Sequence, residues 1–194
     1  MTVRTNTTAQ KDPPLPEEAC LIEQAKSGSP EAFAKLYDAC VERVSRYIYF
    51  RVSDENDMED LVSQVFLKAW ENLERYKMGS SPFVAWLYTI ARNLVIDHYR
   101  TKRKNLPLEE AMALPSDMEM PDEQVQTNFD LEALRDALQF LTHDQQQALV
   151  LKYIAGLPND SIARIMNKQE GTVRGLQMRG LQTLAKYMKE KELV

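Results

Sequence analysis

Apolar residues recur at three- and four-residue spacing along most of this 194-residue chain, and no alternating apolar–polar run lasts long enough for a strand. The pattern predicts an all-α fold. Residues 17–50 divide into two helices at "SGSP", where Ser29 caps and Pro30 fits the first turn. A third helix spans 54–74, and its acidic start "DENDMED" suits the positive end of a helix dipole. Leu61, Val62, Val65, Phe66, Ala69 and Leu73 make its apolar face. After "YKMGSS" the pattern restarts with Ser81 as cap and Pro82 at the first helical position. Phe83, Leu87, Ile90, Ala91, Leu94 and His98 then run down one side of a helix that continues into "HYRTKRK". These elements define one helical domain over 17–104, preceded by a polar leader over 1–16 that reads as disordered.

Residues 105–130 hold three prolines, seven acidic residues and no basic one, the composition of an acidic flexible linker. Periodicity resumes at Leu131, Leu134, Leu138 and Leu141, and Thr142 with Gln145 reads as a capping box opening the next helix, which Gly156 ends. The stretch "NDSIARIMNKQEGTVRGLQMRGL" then places a small residue, Ala163, fifth from Asn159. Asn167, which tolerates a left-handed turn, is ninth, and the apolar Val173 is fifteenth. That is the spacing of a helix-turn-helix, whose second helix enters the major groove of DNA. Residues 131–194 are thus a second small helical domain.

Charge sharpens this picture. The net charge is −5, yet residues 75–104 carry seven Lys/Arg against one acidic residue. A local basic field attracts a polyanion whatever the total charge. Arg92, Arg100 and Arg103 share one stripe of the fourth helix, and Asn93, Asp97, Arg100 and Lys104 another. With Lys102 they form a candidate phosphate track, supplying affinity and register without base specificity. On the recognition helix Lys168, Gln169, Glu170 and Thr172 stand at the end that meets base edges. Arg174 is placed for guanine, with Gln177 and Arg179 deeper in the helix.

Enzymatic chemistry finds no support. The chain has no glycine-rich phosphate loop and no nucleophile elbow. Its two cysteines, Cys20 and Cys40, and two histidines, His98 and His143, do not cluster as zinc ligands. No catalytic residue, metal site or cofactor is expected. No apolar run approaches the roughly 20 residues of a membrane helix, and no signal-peptide h-region opens the chain, so a cytoplasmic location is expected.

Two stretches carry a resemblance. "DLVSQVFLKAWENLERY" followed by "FVAWLYTIARNLVIDHYR" is similar to the N-terminal domain of bacterial extracytoplasmic-function sigma factors. "LTHDQQQALVLKYIAGLPNDSIARIMNKQEGTVRG" resembles their C-terminal domain, in the same order and across the same kind of linker. The resemblance implies a dissociable specificity subunit of RNA polymerase, monomeric when free and commonly restrained by an anti-sigma factor. It implies a polymerase contact along the third helix, where Asp57, Asp60, Gln64, Lys68 and Glu71 form a polar stripe. It also implies capture of melted −10 bases at the loop before the fourth helix, through Met78, Gly79, Ser80 and Ser81 with Phe83 and Tyr76 beside them. The recognition helix would read the −35 element, although Gly175 and Leu176 stand where such factors usually carry Ser and a basic residue. From the residues alone, a helix-turn-helix regulator acting without polymerase and a module binding a partner helix both stay open.

Overall fold

The computed structural model describes residues 17–78, 81–105 and 126–190, and within these every regular element is helical. In the N-terminal half, α1 (Glu18–Lys26) and α2 (Pro30–Tyr49) form an antiparallel hairpin. Gly28 closes its turn at φ +92, a backbone state that glycine reaches without a Cβ penalty. Ser29 accepts from the Ala32 N–H and Pro30 occupies the first turn, as their order in the chain predicts. α3 (Glu55–Glu71) is capped by Asp54, whose carboxylate accepts from Asn56 and Asp57. α4 (Phe83–Asn105) lies across α2 and α3. Leu36, Val44, Ile48, Val65, Ala69, Leu87, Ala91 and Val95 fill the space between these helices.

The start of α4 departs from the expected cap. Ala85 and Trp86 donate their N–H groups to the carbonyl of Pro82, which makes Pro82 rather than Ser81 the N-cap. The next orphan donor, Phe83 N–H, is satisfied from another helix, by Glu18 Oε1 at 3.0 Å. A cap supplied 65 positions away leaves no local signature.

In the C-terminal half, α5 (Gln126–Gln139) begins within the stretch whose composition reads as linker. α6 (His143–Leu149) opens with the reciprocal Thr142–Gln145 capping box. It runs on through a π-helical turn, Val150–Ile154, and stops at Gly156 with φ +68. α7 (Asn159–Met166) and α8 (Glu170–Glu190) follow. Asn167 sits in the left-handed region at φ 51, ψ 50. The Lys168 N–H reaches back to Ala163 O and the Asn167 N–H to Arg164 O, a Schellman closure that sharply turns the chain. Ala163 and Val173 are both buried, as the helix-turn-helix spacing requires.

The halves do not stand apart. α7 packs along α4, and the π-turn after α6 meets α2. The seam between them is unusually polar. Tyr47 donates to Gln147 Oε1 at 2.8 Å and Gln146 Nε2 to Phe50 O at 3.0 Å, while within the N-terminal half Tyr99 donates to Arg51 O at 2.8 Å. From α5, Arg135 donates twice to Val52 O and lies 4.3 Å over the Tyr49 ring.

Candidate nucleic-acid interface

The polar stripe of α3 borders a groove against α4 lined by Asp57, Asp60, Gln64, Asp97, His98 and Lys102. Asp60, Gln64, Lys68 and Glu71 are exposed. Asp57 is different: its carboxylate turns inward, 3.3 Å from His98 Nε2 and 3.1 Å from Lys102 Nζ. It ties α3 to α4 before it can offer anything to a partner. Lys68 opens onto a second groove with Asn72, Arg75, Trp86 and Asn93, so α3 and α4 share a basic rim at that end. Sequence reasoning passed over Leu67, which is 58 % exposed; Trp70, which reads from the sequence as core rather than contact, is 39 % exposed and set edge-on to Phe33. Leu67 lies out of register with the apolar face Leu61–Val65–Ala69, a signal that could have marked it.

Of the loop before α4, Met78 is exposed and Ser81 half-buried, while Gly79 and Ser80 lie outside the described residues. Phe83 is a core residue, 1 % exposed, which corrects its assignment as a DNA contact. It packs with Tyr76 and Trp86 in a three-ring cluster, at centroid separations of 5.3 to 5.7 Å. The Tyr76 hydroxyl donates to Ser81 O at 2.6 Å, and Lys26 Nζ donates to Tyr76 O at 2.9 Å. Buried rings and these two bonds hold both ends of the loop.

The basic track of α4 is narrower than the one-dimensional pattern suggests. Asn93, Asp97 and Arg100 are exposed, and Lys102 is exposed but paired with Asp57. Arg92 is half-buried and donates from Nη1 to Oδ1 of the exposed Asn93 at 3.2 Å, and its charge also bears on Arg51 and His143. The linker 106–125 and the side chains of Arg103 and Lys104 lie outside the described residues.

On α8, Gln169, Glu170, Thr172 and Arg174 are exposed at the N-terminal end. Arg174 lies 3.0 Å from Glu170 in a surface pair, an interaction weak enough to yield to a stronger partner. Lys168 is anchored to Asp144 at 3.0 Å. Gln177 does not face outward: it is 8 % exposed and donates to Asn159 Oδ1 at 3.1 Å, fastening α8 to the start of α7. Its neighbour Met178, which sequence reasoning overlooked, projects from the surface at 58 % exposure, one turn beyond Arg174. Arg179 is exposed and bends back over Gly175. Leu176 is buried, so its departure from a basic residue serves the core. Together these residues give α8 a mixed face able to hydrogen-bond base edges and touch a thymine methyl.

Among the described residues no group of three His, Cys, Asp or Glu lies close enough to hold a metal, and no helix is long and apolar enough to cross a membrane. Cys20 is exposed; Cys40 is buried, and desolvation pushes its thiol up to about 11.

Two family models match the chain, Sigma-70 region 2 over residues 36–105 and Sigma-70, region 4 over residues 131–184. The chain is 37 % identical over 170 residues to the ECF RNA polymerase sigma factor BldN of Streptomyces coelicolor, covering 87 % of this chain and 64 % of that protein. It is 31 % identical over 140 residues to the ECF RNA polymerase sigma factor SigL of Mycobacterium tuberculosis, covering 72 % of this chain and 78 % of the relative. A solved structure of the sigma factor RpoE in complex with the anti-sigma factor NepR from Bartonella quintana superposes with a TM-score of 0.69 at 25 % identity. That superposition covers 81 % of this chain and 96 % of the solved one.

Proposed function

The chain belongs to the extracytoplasmic-function RNA polymerase sigma factors, and on that premise we propose how its surfaces share the work of promoter recognition. Core polymerase takes the exposed face of α3, through Asp60, Gln64, Lys68 and Glu71 with Leu67 and Trp70 at its centre. An apolar centre within a polar rim is the anatomy of a protein interface. Asp57 acts behind this face by holding α4 in place.

The observation that carries this reading is the pairing of two matched regions, in order, with two separate sets of exposed DNA-suited residues. The loop 76–82 receives an unstacked −10 base against Met78, above the Tyr76–Phe83–Trp86 cluster. Arg75, Asn93 and Arg100 follow the strand as phosphate ligands, joined by Lys102 where polymerase releases it from Asp57. α8 enters the major groove of the −35 element, with Arg174 on a guanine and Met178 on a thymine methyl. The factor acts in the cytoplasm, where polymerase and promoter meet, and an anti-sigma factor restrains it.

Gel filtration of the chain with core polymerase, followed by run-off transcription on a cognate promoter, tests the reading. Co-elution and promoter-dependent transcript are expected. Reversing Asp60 and Lys68 together should weaken core binding in competition with wild type while helical circular dichroism stays unchanged. Undiminished binding would move the polymerase contact off α3.

A further inference from the structure

Arg51, at the end of α2, is wholly buried in the seam between the halves. No carboxylate accepts from it among the described residues. Its Nη1 donates to Gln146 Oε1 at 2.7 Å and to His143 O at 3.3 Å, and its Nη2 lies 2.6 Å from His143 Nε2. Its Nε finds no partner. A guanidinium only donates, so His143 Nε2 must accept. An imidazolium has no lone pair to offer, and it would set a second positive charge against the first.

The groups facing His143 reinforce this. Arg51 approaches from α2, and the charge of Arg92 comes from α4. The Tyr99 ring stands edge-on 6.5 Å away. Among the described residues the carboxylate that favours the protonated form is Asp144, and it is drawn to Lys168 at 3.0 Å. We propose that this seam is a proton-sensitive latch: it closes the C-terminal half onto the N-terminal half only while His143 is neutral, and protonation of His143 releases it.

The latch bears on function through size, and this step rests on the sigma-factor reading. Elements at −10 and −35 lie about 25 base pairs apart, roughly 85 Å at 3.4 Å per step. A compact body of some 170 residues is about 40 Å across. The closed form cannot occupy both elements at once, so the seam must part before the two DNA-reading surfaces serve one promoter. A seam that buries an uncompensated arginine is suited to parting, because opening restores water to the charge.

The direction of the pH response follows from the imidazole. Burial, then Arg51, hold His143 at about 4 in the closed form, against an ordinary value of 6.5. Closure is therefore fully favoured above 6.5 and weakens as the pH falls from there towards 4. At pH 5.5 the closing equilibrium should have dropped about ten-fold.

Small-angle scattering of the full chain between pH 7.5 and 4.5, with circular dichroism to confirm that the helices persist, reads the latch without polymerase or DNA. Its failure therefore leaves the sigma-factor reading untouched, and failure to bind polymerase leaves the latch untouched. The radius of gyration should rise as the pH falls through 6. His143→Gln keeps a neutral acceptor at every pH and should remove that rise. Arg51→Met removes the charge that opposes protonation and should flatten it. A wild-type radius constant across the range overturns the latch, as does either variant reproducing the wild-type response.

Discussion

Gly180 illustrates how little composition says about a single residue. The chain has three glycines in α8, Gly171, Gly175 and Gly180, and each lowers helix propensity by about 1 kcal/mol relative to Ala. Their surroundings differ. A Cβ on Gly180 would lie 2.9 Å from Leu149 Cδ1 and 3.4 Å from Gln145 Cβ, where α6 crosses α8. On Gly175 it would meet only the mobile end of Arg179, at 3.4 Å. Gly175→Ala should therefore stabilise the chain by up to about 1 kcal/mol. Gly180→Ala should destabilise it, the overpacking cost of about 1–3 kcal/mol exceeding the propensity gain. Urea denaturation of both variants reads the difference, and equal effects would mean that α6 and α8 are not packed this closely.

At the scale of an element, α8 separates residues that hold it from residues that use it. Gln177 is bound to Asn159 within the fold, whereas Arg174 is free to leave Glu170. Arg174→Ala should cost about 1–3 kcal/mol on the preferred −35 sequence and relax choice at one position. Gln177→Ala should lower thermal stability yet leave the order of preferred sequences intact. Binding of both across a −35 sequence library decides this, and a changed base preference for Gln177→Ala would put that side chain on the DNA. The same division runs through α4: Phe83 builds the helix start, Arg92 is half-buried, and Asn93 and Arg100 remain outside.

At the scale of the whole molecule, the seam makes two sequence modules behave as one body. Arg135 contributes two hydrogen bonds to Val52 O and a cation–π contact with Tyr49. Arg135→Ala should leave that carbonyl without these donors and weaken closure by about 1–3 kcal/mol. At neutral pH, calorimetry should then resolve two thermal transitions where the wild type shows one. A single transition at an unchanged temperature would show that the seam contributes nothing to cooperativity.

What the sequence determined by itself was everything encoded within a few residues along the chain. The Ser29 cap, the Thr142–Gln145 box and the left-handed Asn167 are local hydrogen-bond or backbone choices. The buried face of α3 follows from one helical period, and the two modules follow from motif order. Tertiary structure decided what depends on groups distant in the chain. Pro82 takes the cap position expected of Ser81, and Glu18 satisfies the Phe83 N–H of α4 across 65 positions. Phe83 and Gln177 read as contacts because a helix wheel does not show which neighbour covers a given side. Arg51, unremarkable in the sequence, gains its meaning only from His143, 92 residues onward. Helical period and capping act over four residues, whereas desolvation and charge act through space, and the fold alone sets those distances.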